Sequence, residues 1–195
     1  MLLICSALLA WLISTHTRMT TQKAAQAALK ATTDALTGAY NRHYLRQRLE
    51  TLHSRGDGTI HLLMVDADHF KSINDEDGHL VGDRVLIEVA RRLQATLRPT
   101  DLLARYGGEE FCVVLPDIDD IIAVAIAERL RKAICEQPME GRKVTVSLGL
   151  SRRVVGESLS ELMARADRAL YRSKEQGRNQ VQAEWPEGEL VPIES

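Results

Sequence analysis

Along the chain the apolar positions keep changing their period, and each change marks an element. Over about residues 41–53 they recur at helical spacing, and the run breaks at the turn signal Arg55-Gly56-Asp57-Gly58. The apolar stretch 60–65 that follows predicts a buried strand, which leaves Asp66 at a strand's carboxyl end. Val85, Leu86, Val89, Ala90, Leu93 and Leu97 then fall on one helical face. Residues 102–106 and 111–115 predict two strands joined through Gly107-Gly108-Glu109-Glu110 as a hairpin. A helix over about 119–135, a strand over 144–150 and a helix near 158–176 complete the series. Ser158 and Glu161 have the spacing of a capping box, and Gly177 supplies the stop. This order fits an α+β sandwich, with helices over a largely antiparallel sheet.

Both ends depart from that pattern. Residues 1–14, MLLICSALLAWLIS, carry no charged side chain, and the next charges, Arg18, Lys23 and Lys30, are positive. The stretch is shorter than the roughly twenty residues needed to cross a bilayer, and it lacks the basic start of a secretory signal. Three readings stay open: the end of a membrane helix, an interfacial or signal-like segment, and a packing helix. If it inserts, the basic residues after it favour a cytoplasmic location for the rest. Residues 20–33 are rich in alanine and free of Gly and Pro, which predicts a helical stalk. A rigid spacer and a dimerising helix both fit, although no sustained leucine heptad is present. After Gln182 the acidic, proline-containing tail has no period and is expected to be loose. The division expected is therefore an apolar membrane-segment candidate at 1–15, a stalk at 16–33, one catalytic domain at 34–182 and a tail at 183–195.

Composition narrows the function classes. The chain has 195 residues, enough for one domain and an appendage. Its 45% hydrophobic and 27% charged residues are those of a globular protein. A net charge of −2 gives no global positive field, so no nucleic-acid partner is expected. The cysteines, Cys5, Cys112 and Cys135, lie far apart without metal-ligand spacing, which argues against a disulfide framework or zinc site.

The chemistry lies in three acidic clusters: Asp66-Ala67-Asp68, Asn74-Asp75-Glu76-Asp77 and Glu109-Glu110. Hard cations such as Mg²⁺ take carboxylate oxygens together with phosphate oxygens. A carboxylate at the end of one strand, facing another on a neighbouring hairpin, supplies that arrangement. Paired glycines also let backbone approach a ligand closely. Singly, each cluster is more often a solvated loop or a plain turn.

Six motifs occur in order: Asp34-Ala-Leu-Thr-Gly-Ala-Tyr-Asn-Arg42, Asp66-Ala-Asp-His-Phe-Lys-Ser-Ile-Asn-Asp75, Gly78-His-Leu-Val-Gly-Asp83, Arg105-Tyr-Gly-Gly-Glu-Glu-Phe111, Val146-Ser-Leu-Gly149 and Ala166-Asp-Arg-Ala-Leu-Tyr-Arg-Ser-Lys-Glu-Gln-Gly-Arg-Asn179. Together they resemble the GGDEF family of diguanylate cyclases, with the signature in its GGEEF form, over about three quarters of the chain. The resemblance implies a nucleotidyl-cyclase-like fold of ferredoxin-like or palm type, with a mostly antiparallel sheet flanked by helices. It implies condensation of two GTP into cyclic di-GMP by a homodimer dependent on Mg²⁺, with Mn²⁺ as a substitute.

Residue by residue, Asp66, Glu109 and the carbonyl of Ala67 match the metal ligands, and Glu109 also matches the general base proposed for the ribose 3′-hydroxyl. Glu110 joins the catalytic set, and Lys71 matches a phosphate-contacting lysine. Asn74 and Asp83 match the pair that recognises guanine, with His79 and Phe70 beside them. Lys174 and Arg178 match phosphate-clamping positions; four apart at a helix end, they are expected on one face. Their bland reading is favourable charge at a helix C-terminus. Arg98-Pro-Thr-Asp101 resembles an RxxD site that binds cyclic di-GMP as inhibitor, with Arg129 a secondary contact; the bland reading is a surface ion pair. The acidic pair Glu76 and Asp77 sits in what reads as a loop. The implied location is the inner, cytoplasmic membrane, with the catalytic domain in the cytoplasm where GTP is available. The alternative is a catalytically inactive receptor for GTP or cyclic di-GMP.

Overall fold

The apolar stretch that follows the first turn becomes the centre of the molecule. In the computed structural model, which describes residues 32–54, 58–186 and 190–192, β2 (Ile60–Ala67) is buried at every position. It pairs antiparallel on one side with β4 (Glu110–Pro116) and on the other with β5 (Val146–Arg152). A strand covered on both edges and both faces has no place for solvated side chains, which is why its sequence does not alternate. β3 (Leu102–Arg105) continues the sheet antiparallel to β4, and β1 (Tyr40–Asn41) joins it parallel. On the far side β6 (Val181–Glu184) runs parallel to β5, and β7 (Leu190–Pro192) runs antiparallel to β6. The order is β1-β3-β4-β2-β5-β6-β7, the mostly antiparallel sheet of an α+β fold.

Two cores flank this sheet because successive strand residues point to opposite faces. Leu63 and Val65 pack with Val85, Val89 and Leu93 of α3 (His79–Thr96) and with Ile126 and Leu130 of α4 (Asp120–Cys135). Leu62 and Met64 pack on the other face with Leu45 and Leu49 of α1 (Arg42–Ser54) and with Leu162 and Ala166 of α5 (Leu159–Glu175). Each of these buried Val, Leu, Ile and Met side chains contributes roughly 1.5–3 kcal/mol.

The start of α5 is fixed by the expected capping box: Ser158 Oγ accepts from Glu161 N–H at 3.3 Å, and Glu161 accepts from Ser158 N–H at 2.7 Å. Along its length α5 lies flush on β5. A Cβ placed at Gly149 would stand 2.2 Å from both the Ala166 carbonyl oxygen and the Leu170 nitrogen.

Four expectations need correction. Residues 70–77 form a helix, α2 (Phe70–Asp77), and not an acidic loop. Arg142 binds both acids at its end, Glu76 at 2.8 Å and Asp77 as well, so their charges are compensated by a residue far along the chain. The tail is not loose from residue 183: Ala183 and Glu184 belong to β6, Trp185 is buried, and Arg168 holds Glu184 at 2.6 Å. Thr33 forms a bridge with Tyr40, so the stalk helix does not extend to it. α5 ends at Glu175, which takes Arg178 out of the helix. The membrane-segment candidate and residues 16–31 of the stalk lie outside the described residues. Among the described residues no helix is long and apolar enough to cross a membrane.

Candidate active site

The register of β2 against β4 brings two acidic clusters together. Asp66 stands directly opposite Glu110, and the Ala67 N–H donates to the Glu109 carbonyl at 3.3 Å. The glycine turn closes because Tyr106 and Gly107 both donate N–H groups to the Glu110 carbonyl, at 2.8 and 3.3 Å. Arg105 then clamps the turn from below, with Nε and Nη2 donating to the Gly108 carbonyl at 3.0 and 2.7 Å. Its Nη1 donates to Asp34 Oδ1 at 3.1 Å, an oxygen that also accepts from Thr37 N–H and Oγ1. The first and fourth motifs are thus one hydrogen-bonded unit.

The electrostatics of this rim are dominated by negative charge in a poorly solvated place. Burial pushes the Asp66 carboxyl up from its ordinary value; an ion pair with Lys174 opposes this, and the Glu109 and Asp68 charges reinforce it. Burial likewise raises Glu110, with Asp66 adding to the effect. Lys174 Nζ lies 2.8 Å from Asp66 Oδ2, with the Asp66 side chain only 9% exposed. Lys174 therefore lies on a carboxylate of the same rim.

Among the described residues no three His, Cys, Asp or Glu side chains form a metal-holding group. Asp66 and Glu109, with Glu110 beside them, and the backbone at Ala67 are the donors at the rim. That donor set fits Mg²⁺, which is commonly held by one or two carboxylates and completed by substrate phosphates and water. Excess carboxylate charge, already drawing an ammonium to Asp66, fits a cation as well.

On the neighbouring helices, Asn74 of α2 lies against Gly82 of α3, the residue before Asp83. A Cβ at Gly82 would meet Asn74 Oδ1 at 2.0 Å and the Phe70 ring at 3.1 Å, so a side chain there would have to turn the Asn74 amide aside. Asn74 and Asp83 are half-buried, while Lys71 and His79 are exposed. An amide and a carboxylate so placed can donate to a guanine carbonyl and accept from its ring and amino N–H groups, a set adenine does not present.

Asp68 carries no role in the sequence reading, yet it ties the site together. Buried, it accepts from Thr145 Oγ1 and Ser147 Oγ, each at 2.7 Å, and from the Asn179 N–H at 3.1 Å. Its position two residues after Asp66 was the available signal, but its partners are remote in sequence. The last bond fixes the turn after α5, where Gly177, Arg178 and Asn179 all have positive φ. Lys174 and Arg178 consequently do not share a helix face: one is on the last turn of α5 and the other is in this turn.

The Arg98–Asp101 pair lies apart, at the connection from α3 to β3. The Asp101 side chain is fully buried and accepts from the Arg98 N–H at 2.9 Å and from its guanidinium at 2.7 Å. Arg129 Nη2 donates to the Thr96 carbonyl at 2.9 Å, which places it beside the same connection. A cavity of about 310 Å³ between Arg42, Leu45, Leu49, Tyr106 and Met163 belongs to neither site.

Comparison with known proteins agrees with this geometry. Residues 31–180 match the family described as "Diguanylate cyclase, GGDEF domain". The chain is 44% identical over 161 residues to diguanylate cyclase A of Treponema denticola, covering 77% of this chain and 43% of that protein. It is 43% identical to the response regulator PleD of Caulobacter vibrioides, covering 77% of this chain and 36% of the relative. The chain thus spans well under half the length of these curated relatives. The solved coiled coil and GGDEF domain of DgcB from Caulobacter crescentus, in complex with c-di-GMP, superposes with a TM-score of 0.82 at 33% identity. That match covers 87% of this chain and 94% of the solved one.

Proposed function

Because the chain belongs to the GGDEF family of diguanylate cyclases, we propose that it condenses two GTP molecules into cyclic di-GMP with release of two pyrophosphates. One observation carries the reading: Asp66 at the end of β2 and Glu109 on the adjoining turn are held in fixed register by the bond from Ala67 to Glu109. Asp66, Glu109 and the Ala67 carbonyl are the groups that would hold Mg²⁺, or Mn²⁺ in its place. Bound there, the ion would draw negative charge from the phosphate oxygens.

The chain's own residues account for the remaining work. Asn74 and Asp83 orient the guanine. Lys71 and Arg178, both exposed, are available to triphosphate oxygens, and Lys174 reaches the same rim. The 3′-hydroxyl oxygen of one GTP forms a bond to the α-phosphorus of the other, and the bond to the α–β bridging oxygen breaks, releasing pyrophosphate. Glu109 takes the hydroxyl proton, directly or through water. The same exchange in the opposite sense closes the ring. Each rim has groups for one nucleotide, so two domains must meet face to face, and positioning supplies most of the catalysis. Residues 16–33 are suited to hold two chains together, and residues 1–15 to attach them to the cytoplasmic membrane. Arg98, Asp101 and Arg129, gathered at one connection, are suited to bind cyclic di-GMP as inhibitor.

The test is to incubate the purified full chain with GTP and MgCl₂ and to identify the product by mass. Cyclic di-GMP is expected, with Asp66→Ala and Glu109→Ala each lowering turnover by about 100-fold or more. GTP binding without any cyclic product would replace this reading with that of a receptor.

A further inference from the structure

Lys174 is drawn to the catalytic rim by charge. The last turn of α5 is carried there by the flush packing of the helix on β5, and its ammonium ends 2.8 Å from Asp66 Oδ2. The lysine side chain is one third exposed, so solvent was open to it, while the carboxylate is nearly enclosed. Around this pair stand Glu109, Glu110 and Asp167, whose charges act on the same space. Lys71 and Arg178, the other cations of the proposed site, are exposed. Lys174 is thus the side chain that answers the negative charge of the rim.

We propose that Lys174 is the resident counter-ion of the metal position: it holds the Asp66 side chain in place in the absence of substrate, and it yields that oxygen when a divalent ion enters with a nucleotide. This rests on the metal reading of Asp66 and Glu109 given above. An ammonium and a divalent ion repel each other strongly at one enclosed oxygen, so the two do not share Asp66 at full strength. The metal alone must therefore displace the lysine from Asp66 without bringing it a new anion. A metal that arrives with a triphosphate offers the displaced ammonium a phosphate oxygen a few ångströms away. Lys174 accordingly makes metal and nucleotide binding cooperative, and suppresses metal uptake by the empty site. A lysine that only clamps phosphate does neither.

The effect of removing Lys174 should change sign with the nucleotide. Binding of Mn²⁺ to the full chain is followed by electron paramagnetic resonance at pH 8, alone and with a GTP analogue carrying methylene between the α- and β-phosphorus. Without nucleotide, Lys174→Met is expected to bind Mn²⁺ more tightly than the parent by roughly tenfold, since a competing charge is gone. With the analogue it is expected to bind more weakly, and Lys174→Arg to behave like the parent in both conditions. Lys174→Gln and a melting curve for each variant separate these effects from misfolding. If Lys174→Met and Lys174→Gln, both folded, bind Mn²⁺ no better than the parent without nucleotide, the exchange is wrong. If Asp66→Asn leaves Mn²⁺ binding unchanged even with the analogue, the metal reading itself fails, a distinct outcome.

Discussion

The guanidinium of Arg105 holds the Gly108 carbonyl with two N–H groups, at 2.7 and 3.0 Å, and so fixes the peptide that precedes Glu109. Its third contact, to Asp34, anchors it to the first turn of the domain. A lysine at position 105 keeps the charge but has no planar fork for both partners. Arg105→Lys is therefore expected to lower kcat about 10–100-fold through misplacement of Glu109, with a melting temperature close to the parent's. Steady-state kinetics and thermal denaturation together check this; an unchanged kcat removes Arg105 from the positioning of the turn.

Gly82 gives a second expectation, since a single methyl there collides with the amide of Asn74 and the ring of Phe70. Gly82→Ala should turn Asn74 away from the base and cost about one hydrogen bond, raising the KM for GTP roughly tenfold. Preference for GTP over ATP, measured by competition, should fall with it. Retained selectivity would mean that Asn74 does not read the base.

The burial of Asp101 separates two variants of the RxxD site. Arg98→Ala removes a partly exposed guanidinium and is expected to raise the cyclic di-GMP concentration for half-inhibition about tenfold or more. Asp101→Ala should do the same and also lower stability by about 1–3 kcal/mol, because the Arg98 N–H loses its buried acceptor. Inhibition assays and urea denaturation read the two effects. Equal inhibition of parent and Arg98→Ala rejects the site.

A pH dependence follows from Asp66 and Glu110, both raised by burial. A carboxyl raised in the fold binds its proton more tightly there than in the unfolded chain. Its contribution to stability is present below the unfolded range and is lost as pH rises through the raised one. Asp66→Asn removes that loss. Nucleotide-free Asp66→Asn should melt above the parent at pH 8, with the gap closing toward pH 4. A variant that melts lower at pH 8 contradicts the sign.

Much of this arrangement is written in local pattern. The unbroken apolar stretch of β2, the two strands around Gly107 and Gly108, and the Ser158–Glu161 cap all follow from neighbours in sequence, and all are present. What the chain hides is set by distance. α2 is eight residues long with an acidic end, and its charges make sense only beside Arg142. The three donors to Asp68 come from 77 to 111 residues away, so its burial has no local signal. Arg178 is misjudged by spacing alone, since counting four residues from Lys174 assumes a helix that stops at Glu175. The pairing of Lys174 with Asp66 is likewise a property of the folded sheet.

The absence of a side chain at Gly149 leaves α5 and β5 touching backbone to backbone. A side chain at this point would have to push the helix off the sheet. For the two-domain encounter proposed above, each domain would then enter as one piece, and the angle of approach would matter more than any change of shape within it.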